Sequence, residues 1–255
     1  MHDIEMQTAS EEFARCWHEA GRHIQRQVQG PLHSWLKVTL DPPFLEHLSF
    51  RLGNQLFFIR IEDADGKLEV PGSRRGLQMV ADGCKGHACL MPMRRQAATW
   101  EPAMPGWGLL DVQTGVPLNP VVLVSDERIE MTDWEMQDFV VQIVRDWLAK
   151  QGRKLMSWQG NPAVDPSIWF VGDHGPEWVV VRAARYPRKT AEPPSNWAAI
   201  AAECARLSRS GHFASVAVAH ADEVFDPTGA VPPTPLWRGH GMLASFTGFA
   251  SGLRQ

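Results

Sequence analysis

Asp165 and Arg182, with Asp41 and Arg60, are the residues whose types and spacing come closest to chemistry in this chain. An aspartate at the head of one strand and a cation on the next can serve two ends. With a second acid nearby the aspartate holds a divalent metal; without one, the two charges neutralise each other. Asp165 precedes the apolar stretch Ser167-Ile-Trp-Phe170, and Arg182 closes Trp178-Val-Val-Val-Arg182. Asp41 and Arg60 stand in the same order, with Arg60 closing Leu56-Phe-Phe-Ile-Arg60. Both aspartates precede proline, and Asp-Pro is also a common turn starter. Runs this apolar read as strands buried on both faces, where a guanidinium must be paired or reach solvent. Pairing Asp41 with Arg60 and Asp165 with Arg182 satisfies all four; anion binding is the arginines' other use.

The remaining candidates carry less. Cys84-Lys-Gly-His-Ala-Cys89 offers three soft-metal ligands, but a structural zinc site needs a second close pair, which the sequence lacks. Four scattered cysteines make no disulfide framework. Gly86-His87 and Gly211-His212 place a histidine at a strand start, where a hydrogen-bonded edge residue is the expectation. Ser73 before Arg74-Arg75 suits a phosphate at a helix N-terminus, yet no Gly-Lys-Thr element follows, so a P-loop is excluded. No Gly-x-Ser-x-Gly occurs, so there is no nucleophile elbow. Eleven tryptophans suit base stacking, but Trp35 and Trp158 recur at matched positions, which points to packing. Neither a metal nor a cofactor is expected.

Matched positions are the organising feature. Ile4-Glu-Met6 recurs as Ile129-Glu-Met131, and Thr8-x-x-Glu11 as Thr132-x-x-Glu135, two capping boxes that open amphipathic helices over 9–28 and 133–150. Both helices run to Gln-Gly, at Gln29-Gly30 and Gln151-Gly152. Ser34-Trp35 pairs with Ser157-Trp158, and Asp41-Pro42 with Asp165-Pro166. The two strand arginines and the two Gly-His pairs follow. Gly106-Trp-Gly-Leu-Leu110 then matches Gly239-His-Gly-Met-Leu243, and Thr114-Gly115 matches Thr247-Gly248. The offset jumps by about eight residues near the end, which places a surface insertion within 222–235. The pattern predicts an α+β fold made of a tandem duplication, α-β-β-β-α-β-β twice, as units 1–125 and 126–255 in a pseudo-two-fold arrangement. Strands are expected near 33–39, 47–52, 55–62, 88–93 and 107–112, then 154–159, 167–171, 177–184, 213–220 and 241–247. Second helices are expected over 74–83 and 195–208.

Composition narrows the function. With 44% hydrophobic and 21% charged residues the chain can bury real cores. The net charge of −4 divides evenly between the halves, which gives no support to a basic nucleic-acid module. No apolar run reaches membrane-spanning length, and the N-terminus does not read as a signal peptide. A cytoplasmic, bacterial-type protein with no membrane partner is expected.

Helix, three-strand meander, helix, strand resembles the core of the PD-(D/E)xK nuclease-like fold. That resemblance implies an aspartate at the start of the second core strand and a (D/E)-x-K tripeptide on the third, two carboxylates holding a metal. Asp165 fits the first position, and Asp41 fits it more loosely. The third strands read Val180-Val-Arg182 and Phe58-Ile-Arg60, so the second carboxylate is missing and arginine, which cannot act as a base, replaces lysine. Glu203 on the second helix is the candidate for a migrated carboxylate. Type III secretion chaperones run in the same order, and that resemblance implies a pseudo-dimer binding extended peptides. The reading is therefore a non-enzymatic binding or accessory protein with a protein or peptide partner. A metal-dependent nuclease or nucleic-acid binder and a chaperone-like peptide binder are the alternatives.

Overall fold

A computed structural model describes residues 9–28, 33–38, 40 and 47–250. Ile4 to Thr8, Gln29-Gly30 and Asp41-Pro42, on which parts of the repeat rest, lie outside them. The chain divides into two compact units, Ile4–Arg128 and Ile129–Gln255.

The N-terminal unit begins with α1 (Glu11–Gln27). Its cap is Ser10, whose hydroxyl accepts from the Phe13 amide at 3.1 Å; a cap at Thr8 would place the helix start two residues too early. Glu11 and Glu12 face the positive end of the helix dipole. Phe13, Cys16, Trp17, Ala20 and Ile24 recur at helical spacing and are buried. A meander of β1 (His33–Lys37), β2 (Leu48–Leu52) and β3 (Gln55–Asp63) follows, with α2 (Arg74–Gly83) leading to β4 (His87–Gln96). Strands β5 (Thr99–Pro102), β6 (Leu109–Asp111) and β7 (Pro117–Leu118) complete the sheet. The sheet order is β1-β2-β3-β4-β6-β7, with β5 paired to the far end of β4. Among the described strands of this unit only β3 and β4 run parallel, because α2 carries the chain back across the sheet between them.

In the C-terminal unit, Thr132 and Glu135 form the expected capping box of α3 (Asp133–Lys150). Then come β8 (Lys154–Trp158), β9 (Ile168–Gly172), β10 (Gly175–Arg185), α4 (Trp197–Cys204), β11 (Gly211–His220) and β12 (Met242–Ser245), in the sheet order β12-β11-β10-β9-β8. Again only the strands flanking the second helix are parallel. Strand β10 shows why its sequence does not alternate. Val179 and Val181 pack with α3, while Trp178 and Val180 pack with α4, so both faces are buried.

Helix α4 stops at Cys204 rather than 208, since Leu207 and Ser208 both turn back to the Cys204 carbonyl. Strand β5 was unforeseen because its hairpin turns on Ala97 at φ 53°, a left-handed residue without the usual glycine or asparagine signal. Residues 221–241, which include the insertion expected within 222–235, contain no strand, but Leu236 is buried and its carbonyl accepts from the Met131 amide.

Register aligns the two units more sharply than residue identity does. The cross-strand row Trp35–Phe50–Phe57–His87 runs through β1 to β4. The row Trp158–Ile168–Val179–His212 runs through β8 to β11. The first strand of each unit also carries one register shift, next to its tryptophan in β1 and two residues before it in β8. One expected match fails this test. Leu110 pairs with Leu90, whereas Leu243 pairs with Ala219. With Arg60 and Arg182 aligned, the partner of Leu90 in the other unit is Ser215, four residues from Ala219. The Gly-x-Gly segments near 106–110 and 239–243 therefore do not occupy equivalent places.

Candidate functional site

Arg60 and Arg182 hold the same ladder position, opposite Leu90 and Ser215 on the parallel neighbour. Counting along the hairpins shows what faces each of them from the second strand. One step past the pair Leu48–Ile59 brings His47 opposite Arg60. Three steps past Ile168–Val179 bring Asp165 opposite Arg182. His47 thus holds in this unit the ladder position that Asp165 holds in the other. Asp41 stands six residues upstream, outside the described residues, so its expected pairing with Arg60 has no structural account.

In the C-terminal unit the two charges close on each other. Arg182 donates from both terminal nitrogens to Asp165, at 3.0 Å to Oδ1 and 2.5 Å to Oδ2, and also reaches the Val181 carbonyl at 2.9 Å. The side chains are only 23% and 12% exposed. A bidentate fork of this kind occupies both carboxylate oxygens. Beneath it Cys204 is buried, and burial together with the Asp165 charge pushes its thiol up to about 11. Glu203, the next residue on α4, is exposed while Cys204 turns inward. Val180, where a second carboxylate would stand, is fully buried against α4. No group of three or more histidine, cysteine, aspartate or glutamate side chains arranged to hold a metal occurs among the described residues.

In the N-terminal unit the same place is a cleft of about 310 Å³ between α1, β2, β3 and α2. Phe13, Trp17, Leu48 and Leu77 supply apolar wall, and His47 and Arg60 line it with them. Arg60 donates to Glu62 at 2.9 Å and to the carbonyls of Pro71 and Val70 at 2.7 and 3.3 Å. Glu62 is shared with Arg74, which binds both its oxygens. The Arg74 hydrogen bond, outweighing burial and joined by Arg60, holds the Glu62 carboxyl below the usual range. Two guanidinium groups on one carboxylate leave one positive charge near the cleft. Ser73, read as a phosphate contact, instead caps α2 by accepting from the Gly76 amide at 3.0 Å.

The two Gly-His pairs act alike. His87 bonds Gln55 at 3.1 Å and His212 bonds Glu177 at 2.7 Å, and Gln55 and Glu177 are themselves equivalent in register. The glycines are required by close approach. A Cβ on Gly211 would lie 2.1 Å from the Trp178 ring, and one on Gly86 would lie 2.7 Å from Phe58. The four cysteines are buried. Sequence reasoning missed His47 altogether, because identity pointed to Asp41 and only the hairpin register places His47 opposite Arg60.

Residues 134–251 match a family model described as a domain of unknown function (DUF8840). No curated protein and no solved structure matches the chain. No helix among the described residues is long and apolar enough to cross a membrane.

Proposed function

We propose that the protein is a non-catalytic binding protein built by duplication of a nuclease-like α/β unit. In this reading the C-terminal copy has its ancestral site closed by an ion pair, and the N-terminal copy keeps an open cleft. The observation that carries the reading is the fork of Arg182 on both oxygens of Asp165. A catalytic metal needs those oxygens and a second hard ligand on the third strand; the second position is a buried valine. The N-terminal cleft, apolar with one net positive charge nearby, suits an apolar ligand with an anionic end.

Shared register, the paired Trp–His rows and the equivalent histidine contacts support the duplication. The test is cleavage of single- and double-stranded DNA and RNA with Mg²⁺ or Mn²⁺. The wild-type protein is expected to show no cleavage above buffer. Cleavage that is lost in Asp165→Asn would overturn the reading in favour of a nuclease with a migrated ligand.

A further inference from the structure

Apart from β5, which branches off β4 and ends in Pro102, the two strand orders end in four strands, and three of these carry a device that discourages pairing with another chain. β7 is two residues long and begins with Pro117; β8 begins with exposed Lys154; β1 ends in Lys37. Proline, lysine and shortness are the usual means of blunting a sheet edge. Strand β12, Met242-Leu-Ala-Ser245, has none of them. It ends the C-terminal sheet, and among the described residues its backbone pairs only with β11. Leu243 is 46% exposed there.

Beside this edge lies a groove of about 200 Å³ lined by Tyr186, Arg188, Lys189, Phe225 and Leu243. Phe225 is 58% exposed yet ordered against Tyr186, edge to face at 5.3 Å. Arg188 and Lys189 are both exposed, and neither makes an ion pair among the described residues. The nearest acid by chain, Glu192, is exposed and makes no ion pair among the described residues, and Asp226, beside Phe225, is taken up by Thr228 and the Val231 amide. Exposed apolar surface, an unprotected strand edge and uncompensated positive charge therefore coincide.

We propose that β12 accepts an extended acidic peptide as an added strand. Main-chain hydrogen bonds to the open edge supply the pairing, as in other strand-addition modes. Side chains alternate along a strand, so a peptide with an apolar residue two positions from a carboxylate places the first against Phe225 and Leu243 and the second by Arg188 and Lys189. A second copy of the chain is the poorer occupant, because edge-to-edge pairing would bring two basic pairs together. This proposal concerns a different surface from the Asp165 site and stands without that reading.

The test uses the whole protein and a fluorescent peptide, acetyl-Thr-Val-Thr-Glu-Thr-Val-Thr-amide, in which valine and glutamate stand two positions apart, followed by anisotropy. Saturable binding is expected. It should weaken about tenfold in the Arg188→Glu/Lys189→Glu variant, which is about 1.4 kcal/mol for the two exposed charges. It should be lost in Leu243→Lys, an exposed change that leaves the melting temperature intact. A peptide with lysine for glutamate, or with a central proline, should not bind. No binding to the wild-type protein, equal binding to Leu243→Lys, or equal binding of the lysine peptide each overturns the proposal. Self-association of the wild type that Leu243→Lys abolishes also overturns it, in favour of a second copy.

Discussion

At the scale of residues, the difference between the two units comes down to what faces one arginine. Asp165 satisfies Arg182 at close range, whereas Arg60 faces His47 across the cleft and takes Glu62 and two carbonyls instead. Removing one member of a largely buried ion pair strands the other. Arg182→Gln is therefore expected to destabilise by about 2 kcal/mol, measured as a fall in urea midpoint, with unchanged denaturant dependence. Glu62 supplies a pH test with a definite sign. Its folded pKa lies below its unfolded value, so its stabilisation is present above the ordinary glutamate range and is lost as pH falls through the folded value. Glu62→Gln should flatten the acid limb of the stability curve; a limb equally steep in the variant would contradict the pairing. The Asp165–Arg182 pair could be named from apolar flanks and the cost of burying charge. His47 could not, because its place opposite Arg60 is set by the hairpin register and no local residue pattern marks it.

At the scale of elements, periodicity and caps were informative wherever the local signal was strong. α2 and α3 fall at their expected bounds because Ser73 and Thr132 cap them and their apolar faces repeat at helical spacing. β5, β7 and the early end of α4 follow from tertiary context: a left-handed alanine, a two-residue pairing and a turn back on Cys204. The Gly-His steps were legible as strand starts, but the reason for the glycine lies in the neighbouring strand. Gly211→Ala drives a methyl into the Trp178 ring, while Gly86→Ala meets the edge of Phe58. Overpacking of this kind costs about 1–3 kcal/mol, and Gly211→Ala should lower the melting temperature more than Gly86→Ala. Equal effects would mean that the strands relax apart at this step.

At the scale of the whole molecule, the two units share the order helix, three strands, helix, strand and the register of those four strands, and differ in what faces the third-strand arginine. Each has its own core, so a fragment from Ile129 to the C-terminus should melt in a single cooperative transition, with an enthalpy of about 90 kcal/mol at its midpoint; a non-cooperative fragment would contradict the independence of the cores. The central claim, that the Asp165 carboxylate is committed to Arg182 and not to a metal, is tested most directly by a double-mutant cycle. Asp165→Asn, Arg182→Gln and the double variant are compared by chemical unfolding with and without millimolar Mn²⁺. The predicted result is a coupling of about 1–3 kcal/mol that Mn²⁺ does not change. Stabilisation by Mn²⁺ in the wild type and in Arg182→Gln, absent in Asp165→Asn, would contradict it.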